Sequence, residues 1–122
     1  MKGLDMSHRC IFAFILAMAA AGASKRGAYV GFDRQGGPGD ARQVPLVMAL
    51  IDAGYADNLL FASDFSNAAQ LKRNGGAGYA KTVTVFAPKL REAGAKEETV
   101  HAILVDNPRR FLAFVPKSAR KP

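Results

Sequence analysis

Twice along this chain a short apolar run ends on an aspartate and gives way to a polar, glycine-containing loop. The first run is "AYVGF", which reaches Asp33-Arg34 and the loop "QGGPGD"; the second, "YADNLLFAS", reaches Asp64. A continuous apolar run, without alternation, suits a strand buried in a parallel sheet, and its closing acid is then delivered to the sheet's C-terminal rim. Parallel neighbours need a crossover, which is usually a helix and almost always right-handed. The repeat therefore predicts an α/β chain. Only two strands are evident, and two strands do not close a sheet.

The intervening segments read as helices. Asp40 is placed to cap a helix through "ARQVPLVMALIDAG", with Pro45 in its first turn, Val44, Val47, Met48 and Ile51 along one side, and Gly54 as its stop. After a long polar loop from Phe65 to Gly78, "YAKTVTVFAPKLREAG" carries Val83, Val85, Phe86 and Leu90 to a second stop at Gly94. Pro88 should bend or break it. "KEETVHAILVDNPRRFLAFV" reads as two short helices split at Asn107-Pro108, the second capped by Asp106 or Asn107.

With 122 residues the chain can hold one ordinary domain, whereas a full β/α barrel needs about 250. Its 49% hydrophobic content is that of a folded segment. The net charge of +7 is spread from Lys2 to Lys121 without forming a stripe or interleaving with stacking aromatics, so nucleic acid is not an expected partner. Solvated faces account for the charge. Cys10 stands alone, which excludes an intrachain disulfide, and no Cys/His zinc-finger spacing occurs.

The N-terminal segment, residues 1–24, supports two readings. "CIFAFILAMAAAGAS" follows Lys2 and Arg9 and ends on small residues, as a secretory signal would. It is too short to span a bilayer comfortably. Yet Phe12, Ile15, Leu16 and Ala19 recur at helical spacing, which suits a helix packed on a sheet. Cytoplasmic retention is the expectation, with export if residues 1–24 act as a signal peptide.

Other local patterns are weaker. "GGAGYAKT" comes within one residue of a phosphate-binding loop, but Ala80 replaces the final glycine and no strand precedes it. "QGGPGD" lacks the spacing of a dinucleotide fingerprint. His101 falls in a helix away from the rim and reads as a helix-face residue. Asp33-Arg34 also reads as a simple strand-end ion pair.

Taken together, "GAYVGFDR", "LIDAGYADNLLFASDFS", "GGAGYAKT", "FAPKLREAG" and "EETVHAILVDNPRRFLAF" resemble, in order and spacing, the C-terminal portion of the phosphotriesterase family of the amidohydrolase superfamily. The resemblance runs over residues 25–116 and leaves 117–122 as a basic tail. It implies a partial (β/α)8 TIM barrel consisting of the C-terminal β/α units only, with residues 1–24 the remnant of the sixth barrel helix if they are not a signal. Members use two divalent metals, usually zinc, to activate a hydroxide against a phosphotriester, lactone or related ester. By position, "YVGFDR" resembles the seventh strand and "LLFASD" the eighth. The resemblance then implies that Asp64 is the catalytic and metal-binding aspartate, Arg34 a substrate-binding residue, and His8 a metal ligand left from the sixth strand.

The chain also departs from that pattern. The family's binuclear site needs a His-x-His, a bridging lysine and further histidines, and this sequence has two histidines in all. One histidine and one aspartate cannot hold two zinc ions, because a catalytic zinc generally takes about three protein ligands. The expectation is a hydrolase portion inactive by itself, incomplete in zinc or another divalent metal, and paired with a second copy or a complementing chain. Its open sheet edges predict poor solubility or partner-dependent folding. The alternative is a small exported binding or interaction module that has lost the chemistry.

Overall fold

The computed structural model describes residues 18–113. Residues 18–25 form helix α1. The chain then runs through strand β1 (Val30–Phe32), helix α2 (Asp40–Asp52), a 3-10 turn (Ala56–Asn58) and strand β2 (Leu59–Phe61). The two strands pair in parallel with Val30 opposite Leu59 and Phe32 opposite Phe61. The strand–helix–strand unit expected from the repeat is therefore formed, and both aspartates lie beyond the C-terminal ends of their strands.

Beyond β2, the predicted polar loop contains two 3-10 turns, Ala68–Gln70 and Lys72–Asn74. The next helix opens with a wide π turn, Thr82–Phe86, and continues as Ala87–Glu92; together these are α3. The last helix, α4, has the same plan: Glu97–His101, a π turn Ala102–Asp106, then Asn107–Phe111.

These π turns correct two sequence expectations. Pro88 does not break α3, and Asn107-Pro108 does not split α4. In each helix the residue just before the proline donates to the carbonyl five residues back, Ala87 to Thr82 and Asn107 to Ala102. A proline in a regular helix lacks the donor for the carbonyl four back and presses its ring against that carbonyl. The wider turn moves the carbonyl aside, so the helix passes through. Asp106 and Asn107 are helical and make no cap.

Asp40 is also not the cap: it occupies the first helical position, preceded by Gly39, and Pro45 falls in the second turn instead of the first. Asp40 is claimed by tertiary partners. It is almost fully buried, accepts from the Gly36 amide at 3.0 Å and pairs with Lys89 of α3 at 2.6 Å. A buried carboxylate needs such partners to offset its lost hydration.

Val47 and Leu50 of α2, Leu59 of β2, Phe86, Ala87 and Leu90 of α3, and Val100 and Ile103 of α4 form the core. Each such large side chain contributes about 1.5–3 kcal/mol on burial. Ala20 and Ala21 of α1 pack against this cluster, whereas Val83, expected inside, is 55% exposed. The π turn carries Val83 off the apolar face.

Candidate functional site

The rim is built where β1 and β2 end. Phe32 and Phe61 are the last paired residues, and the Ala62 amide still donates to the Phe32 carbonyl at 2.9 Å. Past that bond the two strands diverge into their loops. Arg34 and Asp64, the two positions singled out from the sequence, are brought together there: Nε of Arg34 donates to Oδ2 of Asp64 at 3.2 Å.

Both residues hold a left-handed backbone, φ 59° at Arg34 and φ 45° at Asp64, and among the described residues no other non-glycine residue does. Aspartate tolerates this region through its short polar side chain, but arginine gains nothing from it. Each such position costs on the order of 1–3 kcal/mol, and strain of this kind collects at functional sites. The ion pair does not offset it. With side chains 77% and 43% exposed, the Arg34–Asp64 pair is screened by water. Asp33 lies 4.0 Å from the same Arg34 nitrogen, so the guanidinium faces two carboxylates.

The loops behind the pair are held firmly. The Ser63 hydroxyl donates to the Tyr79 carbonyl at 3.2 Å. Because it carries only one proton, its 2.9 Å bond to the Thr82 hydroxyl is donated by Thr82. This fastens the residue before Asp64 to the start of α3. Across the rim, Gly36 has φ +79°, and a Cβ there would come within 2.8 Å of the Lys81 Cβ. Only glycine lets the β1–α2 loop lie on Lys81 this closely. Phe65, next to Asp64, stacks on Tyr79 with ring centroids 4.0 Å apart.

Ser63, Tyr79, Lys81 and Thr82 were not singled out by sequence reasoning. For Tyr79, Lys81 and Thr82 the signal was "GGAGYAKT", which counted toward the family resemblance and failed as a phosphate loop; Ser63 stands in "LLFASD" beside the acid that drew attention. His101 does lie on an exposed helix face, 3.3 Å from Asp106. His8 lies outside the described residues.

Among the described residues no three His, Cys, Asp or Glu side chains form a group able to hold a metal ion. Asp64 offers one carboxylate, and it is engaged by a guanidinium. These residues alone therefore do not fit a catalytic zinc, which takes about three protein ligands. No helix among them is long and apolar enough to cross a membrane. What the rim can do unaided is hold a proton acceptor and a cationic donor side by side.

Comparison with known proteins gives a consistent result. A family model described as "Phosphotriesterase family" matches residues 12–112. The phosphotriesterase homology protein of Escherichia coli is 35% identical over 88 residues, covering 70% of this chain and 30% of that protein. The N-acetyltaurine hydrolase of Salmo salar is 35% identical over 77 residues, covering 63% of this chain and 22% of the relative. Among solved structures, a resiniferatoxin-binding protein from Rhodobacter sphaeroides superposes with a TM-score of 0.72 at 31% identity, over 77% of this chain and 29% of the other. The E. coli phosphotriesterase homology protein, solved with phosphate in its active site, gives a TM-score of 0.65 at 34% identity over 69% and 30% of the two chains. The chain thus spans less than a third of the length of these relatives.

Proposed function

The chain belongs to the phosphotriesterase family, and on that premise we propose that residues 25–116 supply the last two β/α units of a (β/α)8 hydrolase acting on small esters, lactones or phosphotriesters. In this reading α1 belongs to the sixth barrel helix, β1 is the seventh strand and β2 the eighth. The relatives named N-acetyltaurine hydrolase add an amide of a sulfonated amine to the candidate substrates. The α/β fold resembles that of phosphotriesterase structures, at TM-scores of 0.65 and 0.55. The observation that carries the proposal is the Arg34–Asp64 pair, 3.2 Å apart on two left-handed backbone positions at the C-terminal rim. That rim is where barrel enzymes place their chemistry.

The roles rest on donor and acceptor capacity. Asp64 takes the proton of the attacking water, for which a half-exposed carboxylate beside a bound substrate is suited. Arg34 uses Nε on Asp64, which leaves its terminal amino groups as donors for a substrate oxygen. The family is generally metal-dependent. Zinc or another divalent ion would need donors from outside the described residues, and His8 is the candidate within this chain. Activity accordingly depends on that completion, whether by His8, by a second copy or by a complementing chain.

The test is metal content of the purified full chain, alongside hydrolysis of a chromogenic phosphotriester and a lactone. The proposal expects no turnover from chain that carries no metal, and, from chain that does carry metal, a turnover that drops at least about a hundredfold in Asp64→Asn. Turnover unchanged by that substitution would overturn it.

A further inference from the structure

The loop that joins β2 to α3 is a folded unit in its own right. Asn67 Oδ1 accepts from the Ala69 amide at 3.1 Å, Asn74 Nδ2 donates to the Ala68 carbonyl at 2.6 Å, and the Gly78 amide donates to the Gln70 carbonyl at 2.8 Å. At Gly76 a Cβ would lie 2.3 Å from the Gln70 carbonyl carbon, so the chain closes on itself there more tightly than any other residue permits. The loop carries a shallow, open pocket of about 600 Å³, lined by Leu71, Lys72, Arg73, Gly78, Tyr79 and Ala80.

The lining has a definite chemistry. No acid occurs between Phe65 and Arg91, while Lys72, Arg73 and Lys81 all fall in that stretch. The ion pairs among the described residues engage Arg34, Lys89, Arg91, His101 and Arg110, and none of them uses Lys72 or Arg73. The Lys72 stem lies across Gly78, where a Cβ would meet its Cγ at 2.9 Å, and Lys72 lines the pocket. Tyr79 joins the pocket to the rim. Its ring stacks on Phe65, the neighbour of Asp64, and its carbonyl is bonded by Ser63, the other neighbour. The ring is on a residue 72% exposed, so apolar surface remains uncovered beside two cations that no ion pair among the described residues engages.

We propose that this pocket binds the anionic group of a small substrate, with Lys72 and Arg73 on the anion, the apolar body against Tyr79, and the scissile bond directed toward Asp64. The direction toward Asp64 rests on the hydrolase reading above; the anion pocket itself does not. Carboxylate, sulfonate and phosphate share the required charge and acceptor oxygens.

The experiment is a calorimetric titration of the full chain with benzoate, benzenesulfonate, phenyl phosphate and the neutral benzamide, each at two salt concentrations. The strongest of the three anions identifies the group the pocket prefers. At least one anion should bind about tenfold tighter than benzamide, and the difference should shrink at high salt. Lys72→Gln with Arg73→Gln should weaken that anion about tenfold, and Arg73→Glu should do so alone, while Glu98→Gln on α4 leaves its affinity unchanged. All three positions are solvent-exposed, and circular dichroism verifies that the variants fold. Equal affinity for benzamide, no measurable anion binding, or anion binding indifferent to both cation variants would overturn the pocket. Anion binding alongside turnover that Asp64→Asn leaves unchanged refutes the hydrolase reading alone; turnover that depends on Asp64 without anion binding refutes the pocket alone.

Discussion

The two ends of β2 are built on opposite rules. At its start, Asn107 of α4 is fully buried and donates both amide hydrogens, to the Ala56 carbonyl at 2.7 Å and the Leu59 carbonyl at 2.8 Å, while its own oxygen accepts from Arg110. At its finish, Asp64 is half exposed, sits on an unfavourable backbone and faces one screened guanidinium. One end matches every polar atom and thereby fixes where the strand begins. The other keeps a carboxylate in a conformation that its local contacts do not repay. A strand clamped at one end can hold strain at the other, and that division matches the general placement of stability at the N-terminal face of such sheets and chemistry at the C-terminal face.

Four measurements put this contrast to the test. The largest effect is expected from Asp64→Asn, which should lower turnover by about 10²–10⁴-fold while leaving the urea midpoint in place; a comparable loss of stability would mean the carboxylate is structural. Next comes Asn107→Ala. It removes the side-chain donor of the buried Leu59 carbonyl and of the partly buried Ala56 carbonyl, so unfolding free energy should fall by about 1–3 kcal/mol in urea titration. A change below about 0.5 kcal/mol would remove the clamp from the comparison.

Smaller effects concern strain and surface charge. Asp64→Gly should raise stability by about 1 kcal/mol even as it abolishes activity, because glycine accepts a positive φ freely; calorimetric melting distinguishes a gain from a loss. The smallest effect belongs to Arg91 and Glu97, which join α3 to α4 by two hydrogen bonds of 2.5 and 2.8 Å. The hydrogen bond from Arg91 holds the Glu97 carboxyl below its ordinary range and raises the Arg91 guanidinium. A lowered carboxyl contributes stability at neutral pH that is lost as pH falls through its folded value. Glu97→Gln should therefore flatten the acid side of the stability curve slightly and leave neutral turnover alone, as thermal melts across pH would record.

How far the sequence predicted these features depended on how local their causes are. β2 and its acid were readable because "LLFASD" states both the strand and its end within six residues. Val47, Phe86 and Leu90 were legible from helical spacing. Asp40 was misread because its carboxylate answers to Lys89, 49 residues away, and not to its own helix. Pro88 and Pro108 were taken as breaks because a π turn leaves no mark in apolar spacing. Asn107 was taken for a cap, although it shares the apolar stripe of Val100 and Ile103, and a polar residue on such a stripe signals a buried anchor. The Arg34–Asp64 contact itself joins two loops, and only the parallel register could set their meeting distance.

A turn closed on the fifth residue back holds one residue more than a turn closed on the fourth. Each of the last two helices therefore has room for a single-residue length change that need not rotate the turns beyond it, and Asn107 could keep its aim through such an event. Pro108 could not, since the shorter helix would bring a carbonyl back against its ring. Among relatives, a last helix shortened by one residue ahead of the asparagine should carry something other than proline after it, so that the deletion and the loss of proline are inherited together.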